Sequence, residues 1–191
     1  MAPRVPKTEL IGLDESLIQR FGSVPEPLEV TWHNPGVAEA SLEFGSRASE
    51  WDAVDESLKS FAHMVVAAQV GCSWCLDLGY FQAQNRNLDM AKASQLLRWR
   101  ESDVFTPLER DVLGYAEAMT NTPPTVTDEL SASLLDRLGP AAMVELTAFI
   151  AFSNFATRSN VALGIESEGF SAVCEVPLAG HSEESGVAAA G

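Results

Sequence analysis

The chain has 191 residues, of which 46% are hydrophobic, so it is long and apolar enough to bury one substantial core. Twelve Lys and Arg residues against 27 Asp and Glu residues give a formal net charge of −15, which argues against nucleic acid or an anionic membrane as a partner. We therefore expect a single domain over residues 1–191, with residues 1–7 and 180–191 as loose termini.

The opening residues, MAPRVPKTELIG, lack the apolar segment of a signal peptide, and no apolar run reaches the roughly 18 residues of a membrane span. Three cysteines are too few, and odd in number, for the disulfide framework of a small secreted protein. We expect a soluble cytoplasmic protein. In a reducing cytosol, a close pair of cysteines is more often catalytic or metal-binding than structural.

The first predicted helix begins after Thr8 and ends near Gly22. Apolar residues follow a helical spacing between these two positions. The next stretch, VPEPLEVTWHNPG at 24–36, contains three prolines, which leave little room for a paired strand. We interpret this stretch as a connector.

Two helices are predicted on either side of Gly71. The first is capped by Ser49, with Asp52 as a shortened capping box, and its apolar residues repeat at i, i+3 and i+4. These core positions are Val54, Leu58, Phe61, Ala62, Val65 and Ala68. The second helix begins at position 72 or 73 and continues to about Gln84, before a polar turn at 85–87.

Three later helices carry capping signals. Asp89 caps a short helix with apolar residues at 90, 93, 96 and 97. Thr106 and Glu109, with a proline between them, form a capping box that opens a helix ending before the prolines at 123 and 124. Thr127 caps the next helix, which Gly139 ends.

The last predicted helix covers about residues 140–163 and is apolar around most of its circumference, so we expect it in the core or at a subunit interface. Four polar residues on it need partners: Glu145, Asn154, Arg158 and Asn160. An ion pair within or between subunits is the first explanation, and a substrate contact is the second. No alternating strand pattern is present, so the predicted fold class is all-α, with about seven or eight helices.

The stretch GCSWCLDLGYFQ at 71–82 contains the most reactive pair of residues in the sequence, Cys72 and Cys75. If Gly71 ends one helix, both sulfurs lie at the start of the next, where unpaired N–H groups and the helix dipole favour a thiolate. Residues at i and i+3 share a helical face and are close enough to form a disulfide. One sulfur can therefore attack a substrate and the other can resolve the product.

Two other interpretations of the cysteine pair remain open. A zinc site would need further ligands, and Cys174 and His63 would have to converge on the pair from distant positions. Alternatively, the two thiols are small apolar groups buried at a helix junction, as free cysteines often are. Cys174 is predicted to be a buried small residue, and we expect no metal and no cofactor.

Three segments in this order resemble the carboxymuconolactone decarboxylase and AhpD-like alkylhydroperoxidase family. They are the helix HMVVAAQVG that leads into the Cys-x-x-Cys, FTPLERDVLGYAEAMTNTP at 105–123, and VELTAFIAFSNFATRSNVALGI at 144–165. The resemblance implies an AhpD-like helical domain, a redox role for Cys72 and Cys75 with Cys75 attacking, and a thiol reductant. It also implies a homo-oligomer, a trimer or a multiple of one.

The peroxidase members of that family carry a Glu twelve positions before the first Cys and a His four positions after the second, and here these positions hold Ser60 and Gly79. The expected proton relay is therefore absent. His63 lies on the same helix face as Ser60, so it is the first candidate to replace the relay, with Glu56 as a group that orients it. Asp77 and Tyr80 are nearer in sequence, but we expect them to complement the helix dipole and to pack.

Three hypotheses for function follow. The first is a thiol-dependent oxidoreductase that reduces an alkyl hydroperoxide or a disulfide through Cys72 and Cys75. The second is a non-redox decarboxylase or isomerase of the same family, acting on a small organic acid through His33, His63 or Arg158. The third is a non-catalytic assembly module, which full burial of both sulfurs would favour.

Overall fold

The computed structural model describes residues 2–10, 24–85 and 88–169, and these ranges contain helices and no strand. The seven α-helices are α1 (Glu26–Thr31), α2 (Pro35–Ser49), α3 (Glu56–Val70), α4 (Ser73–Asn85), α5 (Met90–Gln95), α6 (Pro107–Thr120) and α7 (Asp128–Leu163). A short 3₁₀ helix, Leu96–Arg98, follows α5. The all-α prediction is confirmed.

Helix α3 lies at the centre of the fold and packs against α4, α6 and α7. Its apolar residues face all three neighbours because they recur around most of the helix rather than on one stripe. The largest buried side chains of the core include Phe61, Met64, Val66, Leu76, Leu113, Leu146 and Ile150. The central position of α3 brings it between the Cys-x-x-Cys helix and the long α7.

The capping signals predicted helix ends well. Gly71 ends α3 in the left-handed conformation with φ 79°, Asp89 caps α5, and the Thr106 and Glu109 capping box opens α6. Thr127 caps α7, and Gly139 interrupts that helix with φ 77° and ψ 168°. Each of these signals depends on residues within one turn of the helix end, so the sequence contains all the information that they need.

The predicted connector at 24–36 was wrong, because it contains α1 and the start of α2. Pro35 occupies the first turn of α2, and the Asn34 side chain accepts a hydrogen bond from the Val37 amide. A proline in the first turn lacks only an N–H that has no helical partner anyway, so it starts a helix as readily as it ends one. Ser49 was also assigned wrongly: it is the last residue of α2, and Asp55 caps α3 through Ser57 N at 2.8 Å.

The chain end expected to be loose is held in place. The Arg4 guanidinium donates hydrogen bonds of 2.7 Å to the Val161 and Ala162 carbonyls at the end of α7, and Lys7 forms ion pairs with two glutamates of α1. The Arg4 contacts lie at the last turn of α7, where the carbonyls lack the regular i+4 amide partners of a helix. Thr8 donates its amide to the Glu29 carbonyl, while the rest of its predicted helix, residues 11–23, lies outside the described residues, as do 180–191.

The outer surface of α7 includes large exposed apolar side chains. Val144 and Phe155 are 70% and 51% exposed, so within one chain α7 is buried on one side and not on several. By length and composition alone, α7 would also pass as a membrane span, a test that core helices of soluble proteins pass as well. It packs on α3 and α6 and carries a buried ion pair with Lys59.

Candidate active site

Cys72 and Cys75 form a disulfide at the start of α4, with their Cα atoms 5.3 Å apart. Cys72 directly precedes the helix, and its Sγ accepts a hydrogen bond of 3.2 Å from the Cys75 amide, as the side chain of a helix N-cap does. The expected position at a helix start is therefore confirmed. An amide donor at this end of the helix favours negative charge on the Cys72 sulfur.

Asn160 of α7 contacts the other sulfur. Its Nδ2 donates a hydrogen bond of 3.3 Å to Cys75 Sγ, and its side chain is buried, at 7% exposure. Ser153, Thr157 and Asn160 form a buried polar stripe at i, i+4 and i+7 on α7, whose other buried residues are apolar. That spacing is visible in the sequence and could have identified the face of α7 that meets the site.

His63 lies between the disulfide helix and α7. Its Nδ1 is 3.2 Å from Ser153 Oγ, and the ring also forms a hydrogen bond with the backbone of Cys75. Burial lowers the pKa of His63 to about 4, although the hydrogen bond with Cys75 acts in the opposite direction. The imidazole is therefore neutral at pH 7, and it is a weaker base than an exposed histidine.

The other neighbours predicted from sequence have structural contacts. Asp77 is fully buried and accepts hydrogen bonds of 2.8 Å from Ser167 Oγ and the Gly169 amide. Trp74 donates its indole N–H to Glu168 at 2.6 Å, so residues 165–169 cover this side of α4. Tyr80 is fully buried, as expected of a packing residue.

A cavity of about 520 Å³ opens beside the pair, bounded by α2, the loop before α3, and helices α3, α4 and α7. Ser60, His63 and Gly79 all line it. Ser60 and Gly79 are the two positions where the expected relay residues are absent, and His63 is the residue predicted to replace them. The two positions thus border one open space, and His63 borders that space on one side and the Cys75 backbone on the other.

Gly79 cannot carry a side chain in this arrangement. A Cβ atom built there would lie 2.6 Å from Cγ of Met64, which is fully buried in the core. Since carbon atoms do not approach so closely, Met64 would have to move before any residue larger than glycine fits. The packing between α3 and α4 therefore leaves no room for the expected histidine at position 79.

One wall of the cavity depends on a buried ion pair. Lys59 Nζ is 3.0 Å from Glu145 Oε1, and the ammonium also donates to the Trp51 carbonyl. Burial raises the pKa of Glu145, but Lys59 and the amides of Ala53 and Val54 outweigh that effect and hold the pKa below its ordinary value. The intrachain ion pair expected for Glu145 is confirmed.

The remaining candidates lie away from the sulfurs. His33 Nε2 is 2.8 Å from the Pro6 carbonyl, and Arg158 donates to the Thr120 carbonyl at 2.6 Å, so both hold backbone segments together. Neither lines the cavity. Within residues 2–10, 24–85 and 88–169, no group of three or more potential ligands is placed to hold a metal ion, and Cys174 lies outside these ranges.

Access to the sulfurs is restricted in this oxidised state. Cys72 is 0% and Cys75 is 2% exposed, and neither lines the cavity. Gly79 follows Cys75 by one helical turn on the same face of α4, so the cavity approaches the pair without reaching it. Full burial of both sulfurs, which this cavity does not reach, is the observation expected of the non-catalytic assembly module, so this feature favours that hypothesis.

Comparison with known proteins gives two kinds of match. Residues 35–118 match the model of the carboxymuconolactone decarboxylase family. The chain is 29% identical over 178 residues to the uncharacterised protein YnjA of Escherichia coli strain K12, an alignment covering 92% of this chain and 96% of YnjA. The family match includes α2 to α6 and therefore the Cys-x-x-Cys.

Solved structures share the fold. The apo debrominase Bmp8 has a TM-score of 0.75 at 22% identity, covering 84% of this chain and 86% of Bmp8. Bmp8 has also been solved in complex with 2,3,4-tribromopyrrole. A peroxidase-related protein with an AhpD core, from Ralstonia eutropha JMP134, has a TM-score of 0.75 at 18% identity, covering 93% and 98% of the two chains. Sequence motifs, family match and fold agree: the match over residues 35–118 supports the resemblance to the carboxymuconolactone decarboxylase and AhpD-like family, and the fold is AhpD-like and all-α.

Proposed function

We propose that this protein is a thiol-dependent oxidoreductase that reduces an organic hydroperoxide through Cys72 and Cys75. The observation that carries the proposal is the disulfide at the start of α4, with a separate hydrogen-bond donor on each sulfur. The fold is compatible with this reaction, since structures that share it include peroxidase-related proteins.

The reaction begins with the reduced pair. The Cys75 thiolate attacks one peroxide oxygen, so that an S–O bond forms, the O–O bond breaks and the alkoxide leaves as an alcohol after taking a proton. Cys72 then attacks the Cys75 sulfenic acid, forming the disulfide and releasing water. A dithiol reductant returns two electrons by thiol–disulfide exchange, and is itself oxidised to a disulfide.

The surroundings of Cys75 supply part of its activation. The Asn160 amide donates to Cys75 Sγ, and a donated hydrogen bond stabilises a thiolate more than a thiol. The helix start acts on Cys72 in the same sense through the Cys75 amide. Charge on sulfur is thus stabilised without the glutamate and histidine that the peroxidase members of the family use.

His63 is the proposed positioning group between the cavity and the pair. Its neutral ring contacts the Cys75 backbone on one side and borders the cavity on the other. A pKa of about 4 makes it a poor base and leaves it without an extra proton at pH 7, so its contribution is to hold the peroxide near Cys75 by hydrogen bonding, while solvent water gives the leaving alkoxide its proton. Ser153 holds Nδ1 and fixes the orientation of the ring.

The test is peroxide consumption by the reduced protein in the presence of a dithiol such as dihydrolipoamide. We expect turnover by the wild type. The turnover rate should fall by more than about 100-fold in Cys75→Ser and in Cys72→Ser, because each substitution removes one of the two thiols that form the disulfide. A Tyr115→Phe variant, which loses only the hydroxyl contact with Thr147 at 3.0 Å, serves as the control. Full turnover in both cysteine variants would leave the assembly module as the better explanation.

We also propose that the protein forms a homo-oligomer, a trimer or a multiple of one. An exposed groove between α2 and α7 supports this proposal, with Phe44, Phe152 and Phe155 among its lining residues. Sedimentation of the wild type and of Phe155→Glu tests it. We expect the variant to have a smaller mass, and a monomeric mass for the wild type at micromolar concentration would contradict the proposal.

A further inference from the structure

The cavity beside the cysteine pair is strongly asymmetric in charge. Its lining includes four carboxylate side chains, all of them exposed at the opening: Glu50, Asp52, Asp55 and Glu56. Opposite charges would attract and like charges repel across such an opening, where the walls exclude part of the solvent. An organic anion therefore meets a negative potential before it reaches the interior.

Among the described residues that line the cavity, Lys59 is the one Lys or Arg, and it does not offset that potential. Lys59 forms a buried ion pair with Glu145 at 3.0 Å and donates to the Trp51 carbonyl. Its side chain is 7% exposed, so it cannot turn toward a ligand without leaving Glu145 buried and uncompensated. A carboxylate in the cavity would therefore find no available Lys or Arg partner among the lining residues that the structure describes.

The inner wall is apolar and aromatic. Leu78, Phe149 and Phe152 contribute side chains from α4 and α7, and Trp51 contributes from the loop before α3. A volume of about 520 Å³ is in the range of cavities that hold a small organic molecule. His63 and Ser153 are polar groups at the inner end, close to one another at 3.2 Å.

We propose that this cavity binds an uncharged organic molecule the size of a substituted ring, and that its acidic opening excludes carboxylates. The inference rests on the proposed function only for the reaction that follows binding, in which the ligand is a hydroperoxide reduced at Cys75. It also separates the chemistry from that of an enzyme acting on a small organic acid, which would need a cation to hold the acid group.

Binding is tested with two probes that differ in one group. Cumyl alcohol is uncharged and unreactive, and its para-carboxylate carries one negative charge at pH 7. We expect isothermal titration of the full chain to show at least about 10-fold tighter binding of the alcohol. An Ala156→Phe substitution, which fills the cavity from α7, should abolish alcohol binding while circular dichroism shows an intact fold.

The role of the acidic opening is tested by removing charge from it. Glu50→Gln/Asp52→Asn should strengthen binding of the para-carboxylate several-fold and leave binding of the alcohol unchanged. The matched control, Glu101→Gln/Asp136→Asn, makes the same change in net charge at exposed positions outside the cavity lining and should alter neither affinity. This test does not depend on whether Ala156→Phe folds, because the double substitution at the opening leaves the packed walls of the cavity intact.

The outcomes distinguish this inference from the proposed function. Equal or tighter binding of the carboxylate, or the same gain in the control variant, overturns the inference. Selective binding of the alcohol without cysteine-dependent turnover of cumene hydroperoxide overturns the proposed function and leaves the inference standing. Turnover that depends on Cys75 but accepts neutral and carboxylate hydroperoxides equally overturns the inference alone.

Discussion

Two successive turns on one face of α4 contrast in packing. The first turn, which we call the disulfide side, is enclosed, with Asn160 against Cys75 Sγ and almost no exposed area. The next turn, which we call the cavity side, contains Gly79 and borders a cavity of about 520 Å³ together with Ser60 of α3. Binding space and redox groups are thus adjacent but separate, and His63 is the residue that contacts both.

The largest expected effect concerns the cavity side alone. Lys59→Met leaves Glu145 charged and buried, which should lower the free energy of unfolding in urea by about 3–5 kcal/mol. Arg47→Met, which breaks an exposed ion pair with Glu43, should cost less than about 1 kcal/mol. If the two variants lost similar stability, the buried pair would not support the cavity wall as described.

A second substitution tests the packing between the two sides. Gly79→Ala places a methyl group against Met64 and should destabilise the protein by about 1–3 kcal/mol. Gly114→Ala is the matched control, because the same methyl on α6 would lie an ordinary 3.7 Å from Trp99. That control should be neutral or slightly stabilising, as alanine is the better helix former. A neutral Gly79→Ala would mean that Met64 moves easily.

On the disulfide side, Asn160→Leu removes the donor to Cys75. We expect the pKa of the Cys75 thiol to rise by about one unit, equivalent to about 1.4 kcal/mol, since the thiolate loses a hydrogen bond. The measurement is pH-dependent alkylation in a Cys72→Ser background. Asn154→Leu, on the same helix but bonded to Thr120 and Arg158, should leave that pKa unchanged.

The smallest effect concerns His63, between the two sides. The folded protein binds a proton there only near pH 4, whereas the unfolded chain binds it near pH 6.5, so stability falls as the pH drops through this window. Between pH 7 and pH 5.5 the free energy of unfolding in urea should fall by about 1 kcal/mol through this histidine. The His63→Gln variant should lack that contribution. His33→Gln is the control, and a slope that persists in His63→Gln would contradict the buried, neutral ring.

Local signals in the sequence predicted the helix ends, and they predicted the position of Cys72 and Cys75 at a helix start. The errors occurred where one residue type has two roles, as at Pro35, which opens a helix where a connector was expected. The contact between Asn160 and Cys75 spans 85 residues, and nothing local in the sequence specifies it. Only the polar stripe on α7 pointed toward it.

The cavity, too, could be predicted only in part from the sequence. The absence of a glutamate at Ser60 and a histidine at Gly79 followed from the resemblance to the family, by counting from the cysteines. That both positions border one cavity depends on how α3, α4 and α7 pack, and the position of Met64 against Gly79 leaves no room there for a side chain. The proposed exclusion of carboxylates from the cavity likewise depends on the ion pair that occupies Lys59 of α3. Its partner, Glu145 of α7, is 86 residues away in the sequence.

The central claim, that Cys72 and Cys75 react as a redox pair, is tested most directly by counting thiols. The fully reduced chain has three cysteines, and each one alkylated adds a fixed mass. After one equivalent of cumene hydroperoxide, quenching with an alkylating reagent should show one reactive thiol, Cys174, in place of three, with the disulfide mapped to the pair. Three thiols still alkylated after exposure to peroxide would contradict a redox role.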